Sequence, residues 1–232
     1  METCRSDIAG NQMQGHRSRV RERYMRSATR VFSDYEILEM VLFNAIPRAD
    51  TKALAKQLLA RFGSLLAILN AEAGELKSFS GLGDAVVFQF KLMKDLFSRI
   101  HVPISAEFNV MNDWKSVINY CQLDLAFKKK EYFKVLYLNN KGVLIGDEIC
   151  NSGTIDRVAV YPREIAKKAL EYSASAIVIV HNHPSCDPNP SGEDIVLTNN
   201  IISILRPLDI VIYDHIVISG HKYFSFKGSG LI

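Results

Sequence analysis

The spacing of apolar residues changes once along the chain, near Pro103, and that change limits the fold more than any single motif. Before it, apolar residues recur at three- and four-residue intervals, the period of amphipathic helices. After it come short runs rich in Val, Ile, Tyr and Phe, separated by turn residues and alternating with helical stretches. One sheet or one bundle accommodates only one of these periods. The pattern predicts two domains: an all-helical unit over residues 15–103 and an α/β (α+β) unit over 104–232, preceded by a disordered polar tail at 1–14. A length of 232 residues suffices for both, since domains commonly hold about 100–150 residues.

Local signals place the helices. Ser33-Asp34-Tyr35-Glu36 reads as a capping box ahead of Ile37, Leu38, Met40, Val41 and Leu42. Asp50 caps a second helix through Leu54, Leu58, Leu59 and Phe62, with Gly63 as its terminator. Short helices are expected over 65–69 and 73–79. Gly81-Leu82-Gly83 interrupts them, and Asp84 opens a helix with Phe88, Leu92 and Leu96 along one face, which His101-Val102-Pro103 ends.

In the second half, a helix near Trp114 to Cys121 precedes the strand-like run Phe133 to Leu138. Asn139-Asn140-Lys141-Gly142 signals a turn, and Val143 to Ile149 the returning strand. Pro162 suits the first turn of a helix continuing to Tyr172. Ala176 to Val180 reads as a central strand, and 208–213, 215–219 and 223–226 as three more.

A net charge of +3 implies no nucleic-acid partner by itself, but its distribution is uneven. Residues 1–103 hold 15 Lys/Arg against 11 Asp/Glu, and the remainder 13 against 14. Six arginines lie between Arg17 and Arg30, either as a solvated helix face or as phosphate contacts. Four cysteines, Cys4, Cys121, Cys150 and Cys186, are widely spaced with no CxxC pair. No apolar run is long enough for a membrane span, and no segment of signal-peptide type opens the chain. Reduced thiols and a cytoplasmic, membrane-free location are expected.

The chemistry concentrates in His181-Asn182-His183-Pro184-Ser185-Cys186-Asp187-Pro188-Asn189-Pro190-Ser191-Gly192-Glu193-Asp194. Histidines at i and i+2 at the end of a strand point to one side. The proline-rich loop cannot extend the strand and must turn. Ser191 reads as the N-cap of a following helix, which sets Asp194 in its first turn. Each feature alone has an ordinary reading, as a surface histidine or a capping residue. Together, two histidines and a carboxylate leave a fourth position for water, the arrangement of catalytic Zn2+. Such an ion lowers the pKa of bound water to about 7.

The segment is identified as a JAMM signature, HxH-x7-SxxD, and resembles the MPN+ metalloprotease family of deubiquitinating isopeptidases. With Val160-Tyr161-Pro162-Arg163-Glu164-Ile165 and Asp214-His215-Ile216-Val217-Ile218, nearly the whole chain resembles bacterial RadC-like proteins. The resemblance implies a JAMM/MPN-type mixed sheet, zinc ligation by His181, His183 and Asp194, and Ser191 as donor to the oxyanion. It implies a glutamate base just before the opening strand, a position Glu131 fits; Glu148 on the next strand competes. Cys186 stands where the family usually has glycine. The implied activity is hydrolysis of an amide or isopeptide bond in a protein or peptide.

Leu76-Lys77-Ser78-Phe79-Ser80-Gly81-Leu82-Gly83-Asp84-Ala85 resembles a helix-hairpin-helix motif, in which Gly81 and Gly83 let the backbone approach a DNA phosphate. Arg17, Arg19 and Arg21 are the accompanying candidate contacts. Asp84 opposes that role, and a purely structural hairpin is the alternative. A second functional class follows: a DNA-associated accessory protein linked to repair or recombination, with a secondary or structural metal site.

Overall fold

The two periodicities give two compact units, Met1–Lys94 and Asp95–Ile232. The structure, a computed structural model, describes residues 3–27, 31–47, 49–101, 108–152, 160–185 and 187–232. No described helix is long and apolar enough to cross a membrane.

The first unit is helical: α1 (Thr3–Arg26), α2 (Asp34–Ala45), α3 (Thr51–Phe62), α4 (Leu65–Asn70), α5 (Ala73–Lys77) and α6 (Asp84–His101), whose final turns fall past Lys94. The backbone of α1 takes in residues 3–14, for which the composition predicts a tail. Gln, Met and Arg are good helix formers and extend a helix without an apolar stripe. The capping box forms at α2, where Ser33 N–H donates to Glu36 Oε2 at 3.0 Å. Asp50 accepts from Lys52 N–H at 2.9 Å, and Gly63 ends α3 at φ +82°. Leu38, Leu42, Leu54, Leu58, Ile68 and Phe90 form the core, each buried side chain contributing about 1.5–3 kcal/mol. α6 turns Val86, Val87 and Phe90 inward and leaves Phe88, Leu92 and Leu96 exposed. Gln89, which donates to the Val41 carbonyl at 2.8 Å, holds it in that rotation.

The second unit comprises α7 (Trp114–Leu125), β1 (Tyr132–Leu138), β2 (Leu144–Ser152), α8 (Pro162–Glu171), β3 (Ala176–Asn182), α9 (Gly192–Leu205), β4 (Val211–Ser219) and β5 (Lys222–Ser225). They form a mixed five-stranded sheet in the order β2-β1-β3-β4-β5, with β3 and β4 parallel and the other pairs antiparallel. Phe133, Val135, Tyr137, Ile177 and Ile179 face Ile165, Ala169, Ile201 and Leu205 of α8 and α9. The alternate residues of β1 point to the other face, where Lys134 meets Tyr120 and Asp124 of α7.

A further expectation is corrected. The strands expected at 208–213 and 215–219 are a single strand, β4, from Val211 to Ser219. Asp214 lies between the two expected strands, and its buried carboxylate accepts from Ser225 Oγ at 2.5 Å and Lys227 N–H at 3.0 Å. The strand absorbs the irregularity as a register shift opposite Ile177 and Val178.

Candidate metal centre

β3 carries His181 at its end, and α9 begins where the proline-rich loop returns. The Ser191 N-cap and Asp194 form a reciprocal capping box: Ser191 N–H and Oγ each donate to Asp194 Oδ2 at 2.7 Å, and Asp194 N–H donates to Ser191 Oγ at 3.2 Å. The cap fixes the carboxylate that must meet the histidines.

The three side chains converge. His181 Nε2 and His183 Nε2 are 3.0 Å apart. His181 Nε2 lies 3.4 Å from Asp194 Oδ1, and His183 Nε2 lies 3.4 Å from Asp194 Oδ2. Ligands about 2.0–2.1 Å from a tetrahedral zinc sit about 3.3 Å from one another, so the spacing fits that ion's donor set. Among the described residues this is the His/Cys/Asp/Glu group whose ligand atoms gather closely enough for a metal. His183 Nδ1 faces the carbonyl of Asp187 at 3.0 Å, which leaves its Nε2 toward the centre.

Electrostatics agree with a centre that attracts positive charge. Burial works to raise the Asp194 pKa, but the two imidazoles at hydrogen-bonding distance outweigh it and hold the carboxyl well below the usual range. Asp194 in turn raises His183 against desolvation, aided by the Asp187 carbonyl and the Glu131 charge.

Two residues not singled out from sequence lie behind His181. Its Nδ1 is 2.8 Å from His215 Nε2, and His215 Nδ1 is 2.7 Å from Thr198 Oγ1. Burial, followed by the neighbouring His181, holds His215 far below the usual imidazole range. A histidine amid the apolar run of β4, and a threonine one turn after Asp194, were the available signals. Asn182 braces the same strand end by donating to the Lys130 carbonyl at 3.0 Å and accepting from Tyr132 N–H at 2.8 Å.

The two base candidates separate. Phe133 pairs with His181 across β1 and β3, so the register extended by two residues sets Glu131 beside His183. Glu131 is exposed, and its charge reaches His183. Glu148 pairs with Val135 on edge strand β2, further from the strand end, and accepts from the Tyr137 hydroxyl at 2.9 Å.

In the helical unit, the Arg17 guanidinium donates to the carbonyls of Ile46 at 2.7 Å and of Pro47 and Ala49 at 2.8 Å, which caps the end of α2. Arg21 stacks over Phe43 with 5.6 Å to the ring centroid, and Arg19 is exposed. Gly81 adopts φ +90° in the turn between α5 and α6, with Gly83 just before α6 and Asp84 paired to Lys77. Arg30 and Cys186 lie outside the described residues.

Two family models match the chain. The RadC-like JAB domain matches residues 111–231, more than half of the sequence, and the UPF0758 N-terminal family matches residues 13–88.

Proposed function

The chain belongs to the RadC-like JAB family, and from that premise we propose that its C-terminal unit is a zinc-dependent hydrolase of amide or isopeptide bonds in a protein or peptide substrate. The observation that carries this reading is the convergence of His181 Nε2, His183 Nε2 and the Asp194 carboxylate within 4.8 Å of one another. Zinc, if held by His181, His183 and Asp194, would supply Lewis acidity and lower the pKa of a bound water to about 7. Glu131, exposed beside His183, is the general base: it takes a proton from the attacking water and passes it to the leaving amine. Ser191, whose hydroxyl rests on Asp194 Oδ2, would turn that one proton to the developing oxyanion from the N-cap of α9, where the helix dipole already favours negative charge. The test is metal analysis of the purified full chain together with its action on a library of peptides and isopeptide-linked conjugates. Stoichiometric zinc with cleavage, both absent in His181→Ala, is expected. A zinc-loaded chain that cleaves nothing overturns the hydrolase reading.

A DNA-associated accessory role is the second reading, favoured by the positive-φ turn at Gly81 ahead of α6 and by exposed Arg19 and Arg21. Arg17 contributes to the fold of the helical unit through its carbonyl contacts. Full-chain binding to labelled duplex DNA should be weak and fall steeply with salt. No binding at low salt removes this reading.

A further inference from the structure

Thr198, His215 and His181 are distant in sequence, yet hydrogen bonds link them in a chain that begins at the Asp194 backbone carbonyl. The Thr198 hydroxyl has one proton and sits 2.6 Å from the Asp194 backbone carbonyl, which can only accept. The hydroxyl donates there and keeps its lone pairs for His215 Nδ1 at 2.7 Å. Nδ1 of His215 is therefore the protonated nitrogen. The ring is fully buried, with Phe226 stacked at 4.5 Å and the Phe133 edge at 6.0 Å, surroundings that favour a neutral imidazole. Its Nε2 thus keeps a lone pair and accepts from His181 Nδ1 at 2.8 Å. His181 then presents an unprotonated Nε2 to the Asp194 carboxylate, 3.4 Å away. The hydrogen bonds run from the Asp194 backbone carbonyl through Thr198 and His215 to His181, whose free lone pair faces the side chain of the same aspartate.

We propose that Thr198 and His215 are positioning residues that select the metal-binding tautomer of His181, and that they govern metal loading rather than bond cleavage. The proposal rests on the metal reading of the site given above. His183 needs no such relay, because the Asp187 carbonyl sets its tautomer in one step. Without the Thr198 hydroxyl, His215 has no acceptor for an Nδ1 proton. The buried ring then carries its proton on Nε2 and donates to His181 Nδ1, which moves the His181 proton onto the nitrogen that must face the metal. Partners of this kind behind metal-ligating histidines typically change affinity by about 10- to 100-fold.

The experiment has two arms, both on the full chain. Two-bond proton–nitrogen correlation spectra of the metal-free protein at neutral pH report imidazole tautomers directly, and both His181 and His215 should carry their proton on Nδ1. Zinc affinity by competition with a chromophoric chelator should fall about 10- to 100-fold in Thr198→Val, recover in Thr198→Ser, and partly survive in His215→Gln, whose amide oxygen can replace the Nε2 acceptor. Circular dichroism checks that each variant is folded, and the spectra of the parent protein test the relay even if a variant is not. An Nε2 proton on His215, or unchanged zinc affinity in folded Thr198→Val, overturns the relay while the metal reading stands. A parent chain that binds no zinc overturns the metal reading and the relay with it.

Discussion

On one face of β1, Lys134 is buried with its Nζ 2.6 Å from Asp147, 3.0 Å from Asp124 and 2.8 Å from the Tyr120 hydroxyl. On the other face, beyond Phe133, His181, His183 and Asp194 meet, with the Nδ1 atoms of the two histidines facing His215 and the Asp187 carbonyl. Both clusters are polar groups within a largely apolar unit, and the first is neutralised by its own ammonium. Burial works to lower the Lys134 pKa, and Asp124, then Tyr120 and Asp147, outweigh it and keep the ammonium charged. The histidine cluster turns two ring nitrogens and a carboxylate toward one point. A self-neutralised cluster serves the fold; the convergent ring nitrogens and carboxylate of the other are the donor set of the proposed metal site.

The comparison breaks most cleanly on metal content. His181→Ala with His183→Ala should remove bound zinc altogether while the chain stays folded, measured by elemental analysis and circular dichroism. Stoichiometric zinc in the double variant would show that the cation belongs elsewhere. A smaller effect separates the two carboxylates nearest the centre. Glu131→Gln should lower the hydrolytic rate by about 10²- to 10⁴-fold with zinc retained, and Glu148→Gln should not. The reverse result would move the base to β2 without touching the ligand assignment.

The opposite face should respond in stability instead. Lys134→Met leaves two aspartates facing apolar surroundings, and should cost about 3 kcal/mol of unfolding free energy, the low end for a broken buried pair because both aspartates reach solvent. Zinc content should be unchanged. Denaturant titration with metal analysis tests both halves, and a Lys134→Met chain that loses zinc would show that the two faces are coupled.

The smallest effect is on thiol reactivity. Burial pushes Cys150 up to about 11 and Cys121, on α7 near Lys134, up to about 12. A raised thiol pKa keeps the unreactive protonated form at neutral pH, so alkylation of both should be slow at pH 7. It should accelerate as pH rises, first at Cys150 and then at Cys121. Peptide mapping after timed alkylation gives the order; rapid labelling of Cys121 at pH 7 would mean that α7 opens readily.

Most helices could be read from the chain because their signals are local. The Ser33–Glu36 box, the Asp50 cap and the Gly63 terminator each act within four residues, and all three occur as expected. The convergence of the candidate trio was equally readable: i, i+2 spacing at a strand end and an S-x-x-D cap bring His181, His183 and Asp194 together without long-range information. Reading failed where a distant contact overrode a local signal. The two strands expected on either side of Asp214 are one, because Ser225 and Lys227 satisfy its carboxylate within the sheet. The stripe of Phe88, Leu92 and Leu96 follows helical spacing, yet the face of α6 that is buried carries Val86, Val87 and Phe90.

The same division runs through the site. Which residues offer metal-binding atoms follows from period and capping, since both operate over a few bonds of chain. Which nitrogen of His181 is free to bind does not, because it depends on His215, 34 residues away, and through it on Thr198. The parallel register of β3 and β4 and the rotation of α9 bring those three together. A proton's position on a buried imidazole is set by the nearest donors and acceptors in space. That neighbourhood exists only once the sheet has closed and the helix has packed on it.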